Sequence, residues 1–198
     1  MANELDPRQA LTVPPTWGTD TILPDGFQPM LATSATSPLD SDDYGYEGKW
    51  EALRTLVGFE RMNLFTRTGA CQDCRFWFPE LEALREAMKP AWGLYDGEMV
   101  ILENGRPSQA LLQQRLKAQD YETVEQLAAE HPATYLVYDI LRIGDSWLLD
   151  VNWEDRREIL PRTLERTPHL KISPMWRDGM EALEATRDLG LEAVMGKR

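Results

Sequence analysis

ATYLVYDILRIG, residues 133–144, limits the fold more than any other stretch of this chain. It is near-continuous in apolar and aromatic residues, a pattern written for a strand. Further strand patterns lie on either side of it. Glu47 to Phe59 alternates as one strand and Met62 to Thr66 as a second, with Glu60-Arg61 as the charged turn of a hairpin. GLYDGEMVILENG (93–105) is a strand entered through a turn, HLKISPMW a short one, and LEAVMGKR opens a last one.

Helical patterns separate these strands. FPELEALREAM (78–88) has Pro79 in its first turn and stops at Lys89-Pro90. SQALLQQRLKAQ (108–119) and YETVEQLAAEH (121–131) follow, and Pro132 ends the second. EDRREILPRTLERT breaks near Pro161, and GMEALEATRDLG closes on Gly190 as its C-cap. Strand pairs joined by short turns predict antiparallel sheet, so the expected class is α+β rather than a doubly wound parallel fold.

At 198 residues the chain is one domain with a lead-in. Residues 1–26 are rich in Pro, Thr, Ser and Asp and read as an extended or disordered segment. FQPMLAT at 27–33 is apolar enough to dock, so the domain is counted from 27 to 198. No apolar run is long enough for a membrane span, and MANELDPRQA has no secretory pattern, so a cytoplasmic location is expected. The formal charge of -12 argues against a surface that grips nucleic acid everywhere, though a local basic groove or a separate basic domain is compatible with it. Cys71 and Cys74 form a lone CxxC without the four ligands of a structural zinc site, and read as an incidental reduced pair. Neither a GxGxxG nor a P-loop stretch occurs.

Several strand patterns carry polar or aromatic residues where a half-buried strand is usually apolar. These are Glu47, Lys49 and Arg54 in EGKWEALR, Glu98 in YDGEMV, Tyr138-Asp139 in YLVYDIL, and Glu192 with Lys197 in the last segment. A lysine at its reference pKa near ~10.4 is a poor nucleophile, because the ammonium has no lone pair. A nearby metal ion or second cation lowers that pKa. Glu98 and Glu192 are oxygen ligands of the kind Mg²⁺ takes alongside water and phosphate. Lysine, two carboxylates and an aromatic plate describe metal-assisted attack on a nucleotide phosphate.

In order, these segments resemble the adenylation (nucleotidyltransferase) domain of ATP-dependent DNA ligases, especially the bacterial end-joining-repair type. EGKWEALR is similar to the family's E-x-K-x-D-G-x-R motif, TRTG (66–69) to its Ser-Arg-x-Gly segment, and YDGEMV to its Asp-Gly-Glu motif. GRPSQALLQQRL, YLVYDIL, WEDRREIL and GLEAVMGKR continue the likeness to the end of the chain. The resemblance implies two antiparallel sheets with flanking helices and a nucleotide between them. It implies that Lys49 attacks the α-phosphorus of ATP, with Glu47 at the adenine edge and Tyr138 stacked on its face. Arg54 would contact the ribose, and Arg67 the ribose or a nick 5′-phosphate. Glu98 and Glu192 would serve Mg²⁺ or Mn²⁺ and the ribose, and Lys197 the phosphates. The AMP would pass to the 5′-phosphate of nicked double-stranded DNA, and a 3′-hydroxyl would displace it.

Glu51 and Ala52 stand where that motif has Asp and Gly, and Ala193 stands where the last motif has Gly. The family's next strand and its oligonucleotide-binding-fold domain do not follow Arg198, so the domain is expected to be incomplete and to work with a separate domain or repair partner. The same residues also fit a non-catalytic nucleotide- or partner-binding relative, or an RNA-ligase or capping-type nucleotidyltransferase.

Overall fold

A computed structural model of the chain describes residues 29–35, 41, 43–60, 63–68, 73–87, 93–165 and 167–198, with backbone alone at 60, 63–65, 67 and 86. The expected lead-in over 1–26 and the Glu60-Arg61 turn fall wholly or partly outside them. Along the chain run β1 (Gly45–Gly48), β2 (Leu53–Glu60), β3 (Asn63–Thr68), a 3-10 turn (Pro79–Ala83) leading into α1 (Leu84–Ala87), and β4 (Gly93–Glu103). Then come β5 (Arg106–Pro107), α2 (Gln109–Leu116), α3 (Tyr121–Glu130), β6 (Ala133–Ile143) and β7 (Ser146–Trp147). α4 (Trp153–Ile159), β8 (Leu170–Ile172), β9 (Met175–Trp176), α5 (Gly179–Asp188) and β10 (Val194–Lys197) complete the order.

Among the described residues the strands form two sheets, as the α+β expectation requires. The larger has the order β3-β2-β4-β6-β7, with β5 on β4 and β8 on β6, and the smaller is β10-β1-β9. All pairs are antiparallel except β6 with β8.

The alternation from Glu47 to Phe59 is not one strand. β1 lies in the small sheet and β2 in the large one, so residues 49–52 are a link between sheets. HLKISPMW divides in the same way: β8 joins the large sheet, β9 the small one, and Ser173-Pro174 is the crossing. Proline has no N–H to give a ladder, so pairing lapses there. Local alternation cannot distinguish one long strand from two strands that change sheets.

One face of the large sheet packs on helices. Val57 and Phe59 of β2, Tyr95, Met99 and Ile101 of β4, and Tyr135 and Val137 of β6 join Leu81, Leu84, Leu112 and Leu160 in the main core. The two-residue period then turns Arg54, Asp96 and Glu98 to the other face. Gly97 lies between those carboxylates because a Cβ there would stand 2.5 Å from the Leu136 carbonyl oxygen and 2.8 Å from the Tyr135 ring. Gly190, with φ 77°, follows the Leu189 C-cap of α5 and turns the chain toward β10. FPELEALREAM forms a 3-10 turn and one short helical turn rather than a continuous helix.

Candidate active site

Lys49 opens the link between the two sheets. Its backbone N–H donates to Ala193 O at 2.8 Å, which extends the β1–β10 ladder by one step. Its side chain is 52% exposed, and Nζ lies 3.6 Å from Glu51 Oε1. Trp50 is buried, packed with Val100, Leu136 and Leu191, so neighbouring side chains of the link divide between solvent and core. Ala52 is not in the left-handed backbone region, and it packs beside the cores of both clusters. The Ala in the Gly position is therefore accommodated.

Glu47, two residues before Lys49, is 2% exposed. Its Oε2 accepts from Lys197 Nζ at 3.0 Å, and its Oε1 forms an ion pair with Arg157 Nε at 3.5 Å. Burial pushes this carboxyl up, Lys197 and Arg157 pull it back, and it remains above its ordinary value. Oε1 accepts no hydrogen bond among the described residues.

Lys197 Nζ also stands 3.8 Å from the centre of the Tyr138 ring, within cation–π range. Tyr138 reaches this place through a bulge. In the β4–β6 register Gly97 faces Val137 and Asp96 faces Asp139, so Tyr138 is the extra residue of β6. A bulge re-aims a side chain in this way, and bulges are common beside active sites. Asp139, freed from strict alternation, is forked by Arg156 of α4 at 2.8 and 2.7 Å.

Arg54 and Glu98 are cross-strand partners on β2 and β4. Arg54 forks Asp96 at 3.1 and 2.6 Å, donates to Met30 O at 2.8 Å, and has its guanidinium 5.9 Å from the Tyr138 ring centre. That bond to Met30 is how the segment 29–33 docks: by its backbone, with the Met30 and Leu31 side chains exposed. Glu98 is the most perturbed carboxyl on this face. Burial raises it to about 7, against the pull of Arg54, Lys197 and Lys49, and Asp96 adds to the rise. Its Oε2 is buried without a hydrogen-bond partner among the described residues.

Lys49, Glu47, Arg54, Glu98, Tyr138 and Lys197 thus meet through one set of contacts and fields. Glu192 stands in the exposed bend before β10, one residue from Ala193, and no contact among the described residues joins it to Glu98. Arg67 lies opposite Leu56 in β3, and its side chain is outside the described residues. Cys74 is buried in the main core, and Cys71 is outside the described residues.

The sequence reading missed Asp96, Arg157, Trp50 and Ser173. Asp96 carried a signal, since it stands two residues before Glu98 on the same strand face. The roles of Arg157 and Ser173 arise only from tertiary packing. Among the described residues no three His, Cys, Asp or Glu side chains gather into a metal cage. Mg²⁺ needs none, since it binds through one or two carboxylates plus water and phosphate oxygens. The partnerless, buried Glu98 Oε2 fits such an ion.

An α+β domain of two sheets, joined at a link that presents an exposed lysine beside buried carboxylates and an aromatic ring, is the class defined here. Residues 29–194 match the ATP dependent DNA ligase domain, and the chain belongs to that family. It is 30% identical over 177 residues to the multifunctional non-homologous end joining DNA repair protein LigD of Mycobacterium tuberculosis, covering 88% of this chain and 22% of that one. It is 26% identical to a DNA ligase of Thermococcus fumicolans, covering 86% of this chain and 33% of that one. Among solved structures, mycobacterial DNA ligase D complexed with ATP and MES superposes with a TM-score of 0.70 at 27% identity, over 88% of this chain and 55% of that one. The chain therefore spans about a fifth of the length of its LigD relatives. The family expected from EGKWEALR, YDGEMV and GLEAVMGKR is the one found. Among the described residues no helix is long and apolar enough to cross a membrane.

Proposed function

We propose that this chain performs the nucleotidyl-transfer step of ATP-dependent DNA ligation. The observation that carries the reading is the exposed Lys49 amine set within the field of Glu98, a half-buried carboxyl whose Oε2 is buried and has no hydrogen-bond partner among the described residues. The solvent-exposed Lys49 ammonium gives a proton to water, and its Nζ attacks the α-phosphorus of ATP. A P–N bond forms, the bond from that phosphorus to the bridging oxygen breaks, and pyrophosphate leaves. Tyr138 takes the adenine face, Glu47 its edge, and Arg54 the ribose. Lys197 leaves Glu47 for the phosphates when nucleotide enters.

Glu98 and Glu192 would hold Mg²⁺ (or Mn²⁺), whose charge would stabilise the triphosphate as it reacts. AMP then passes to the 5′-phosphate of nicked double-stranded DNA, and a 3′-hydroxyl displaces it. A chain of net charge -12 would share the DNA with basic surface from a partner domain or repair protein.

Incubation with α-labelled ATP and Mg²⁺ tests this reading. Covalent label lost in acid and stable in mild base is expected on the wild type and absent from Lys49→Arg, whose guanidinium stays protonated. Label persisting in Lys49→Arg would remove Lys49 as the nucleophile.

A further inference from the structure

Ser173 lies in the second crossing between the sheets, between β8 and β9, and is 1% exposed. Its three polar groups each hold a different part of the site. The hydroxyl Oγ accepts from Trp50 Nε1 at 3.1 Å, and Trp50 adjoins Lys49. The backbone N–H donates to Val137 O at 2.8 Å, and Val137 adjoins the bulged Tyr138. The carbonyl accepts from Arg157 Nη2, and Arg157 is the ion-pair partner of Glu47.

The two crossings are the only covalent links that residues 45–60 and 170–176 make between the sheets. The Trp50–Ser173 bond fastens one to the other across 123 residues of sequence. An indole N–H buried without an acceptor is costly, so this bond constrains where the link can sit. Trp50 also packs on Val100 of β4 and Leu136 of β6, the strands that carry Glu98 and Tyr138.

We propose that Ser173 and Trp50 are positioning residues for Lys49, fixing its amine relative to Glu98 and Tyr138 through the hydrogen bond between the crossings. The inference rests on the nucleotidyl-transfer reading above. Neither residue touches the reacting atoms. Both act through the backbone of residues 49 and 50.

The test uses Ser173→Ala, Trp50→Phe, the double variant and Ser173→Thr, each in the full chain. Two readouts are taken at a temperature where all are folded: the single-turnover rate of AMP transfer to Lys49, with ATP affinity measured separately, and the pH profile of Lys49 acetylation by acetic anhydride without nucleotide. Ser173→Ala and Trp50→Phe should each slow transfer by about tenfold or more with ATP affinity little changed, because misplacing a nucleophile costs rate steeply. The double variant should be no slower than either single one, since one bond is lost in all three. Ser173→Thr keeps the hydroxyl and should recover most of the rate. The acetylation profile of Lys49 should move in Ser173→Ala and Trp50→Phe and return in Ser173→Thr.

Transfer rates and acetylation profiles equal to wild type in the folded variants would overturn the proposal, as would losses that add in the double variant. If the wild type takes no label while the acetylation profile moves as expected, positioning stands and the nucleotidyl-transfer reading falls. If the wild type labels and Ser173→Ala labels equally well, the reverse holds.

Discussion

Glu80 and Glu47 are both buried carboxylates beside an arginine, yet they are built to different standards. Glu80 Oε1 accepts from Arg115 Nη1 at 3.1 Å and from the Ala133 N–H at 2.8 Å. Arg115, fully buried, also donates to Trp77 O at 3.1 Å and His131 O at 2.8 Å, and of its three nitrogens Nε alone has no acceptor among the described residues. This network ties the 3-10 turn, α2 and the start of β6 together. Around Glu47 the account is open: Glu47 Oε1, Glu98 Oε2 and Arg157 Nη1 all lack hydrogen-bond partners among the described residues. Lys197 meanwhile stands on the face of Tyr138. Burying charge is tolerable when each lone pair and proton is answered, and costly otherwise. The first cluster holds the fold together, and the second leaves polar atoms unanswered among the described residues, as the proposed nucleotide site requires.

Breaking the satisfied cluster should give the largest effect. Arg115→Ala leaves Glu80 buried without its cation and should cost about 3–5 kcal/mol of stability. Urea unfolding checks the loss, and ATP affinity in the surviving folded fraction should be unchanged. A loss below about 1 kcal/mol would place Arg115 with ordinary surface ion pairs instead.

Lys197→Met probes the open cluster and should split two ligands. ATP loses a phosphate contact and binds more weakly. Adenosine, which has no phosphate, no longer has to displace an ammonium from Tyr138. Its binding should tighten about two- to fivefold, the equivalent of a cation–π contact of about 0.5–1 kcal/mol. Calorimetric titration of both ligands reads this directly, and weakening of both would deny that Lys197 covers the base platform.

Glu98→Gln should give a pH-dependent effect. The folded chain keeps the Glu98 proton up to about 7, while the unfolded chain releases it near 4.5. Between those values the folded state binds more protons, so this group lowers stability as pH rises through the window. The Gln variant should therefore gain Tm relative to wild type as pH rises from 4.5 to 7, with the gain level above that. Parallel Tm curves would mean that Glu98 is solvated after all.

Sequence reading found the fold class, the antiparallel β2–β3 pair and the central strand at 133–143, and it singled out Glu47, Glu98, Tyr138 and Lys197, which the structure brings together, because each depends on local pattern or on ordered motifs. It could not find the division of residues 47–59 between two sheets, since alternation continues through the link. Nor could it find the Tyr138 bulge, which exists only in the register of β6 against β4. Glu80 and Arg115 lie in the helical patterns FPELEALREAM and SQALLQQRLKAQ, and nothing in those patterns marks either for burial. Their burial depends on how the 3-10 turn, α2 and β6 pack together, and no local period encodes that. The Lys197–Glu47 pair spans 150 residues for the same reason.

The claim that the open cluster is a nucleotide site waiting for its ligand is tested most directly by a crystal structure with Mg²⁺ and an ATP analogue whose α,β-bridging oxygen is a methylene, so that no transfer follows. The account predicts adenine on the face of Tyr138, Glu47 at its edge, Lys197 withdrawn from both toward the phosphates, and Lys49 Nζ directed at the α-phosphorus. Nucleotide bound elsewhere, with Lys197 still on the Tyr138 ring and paired to Glu47, would contradict it.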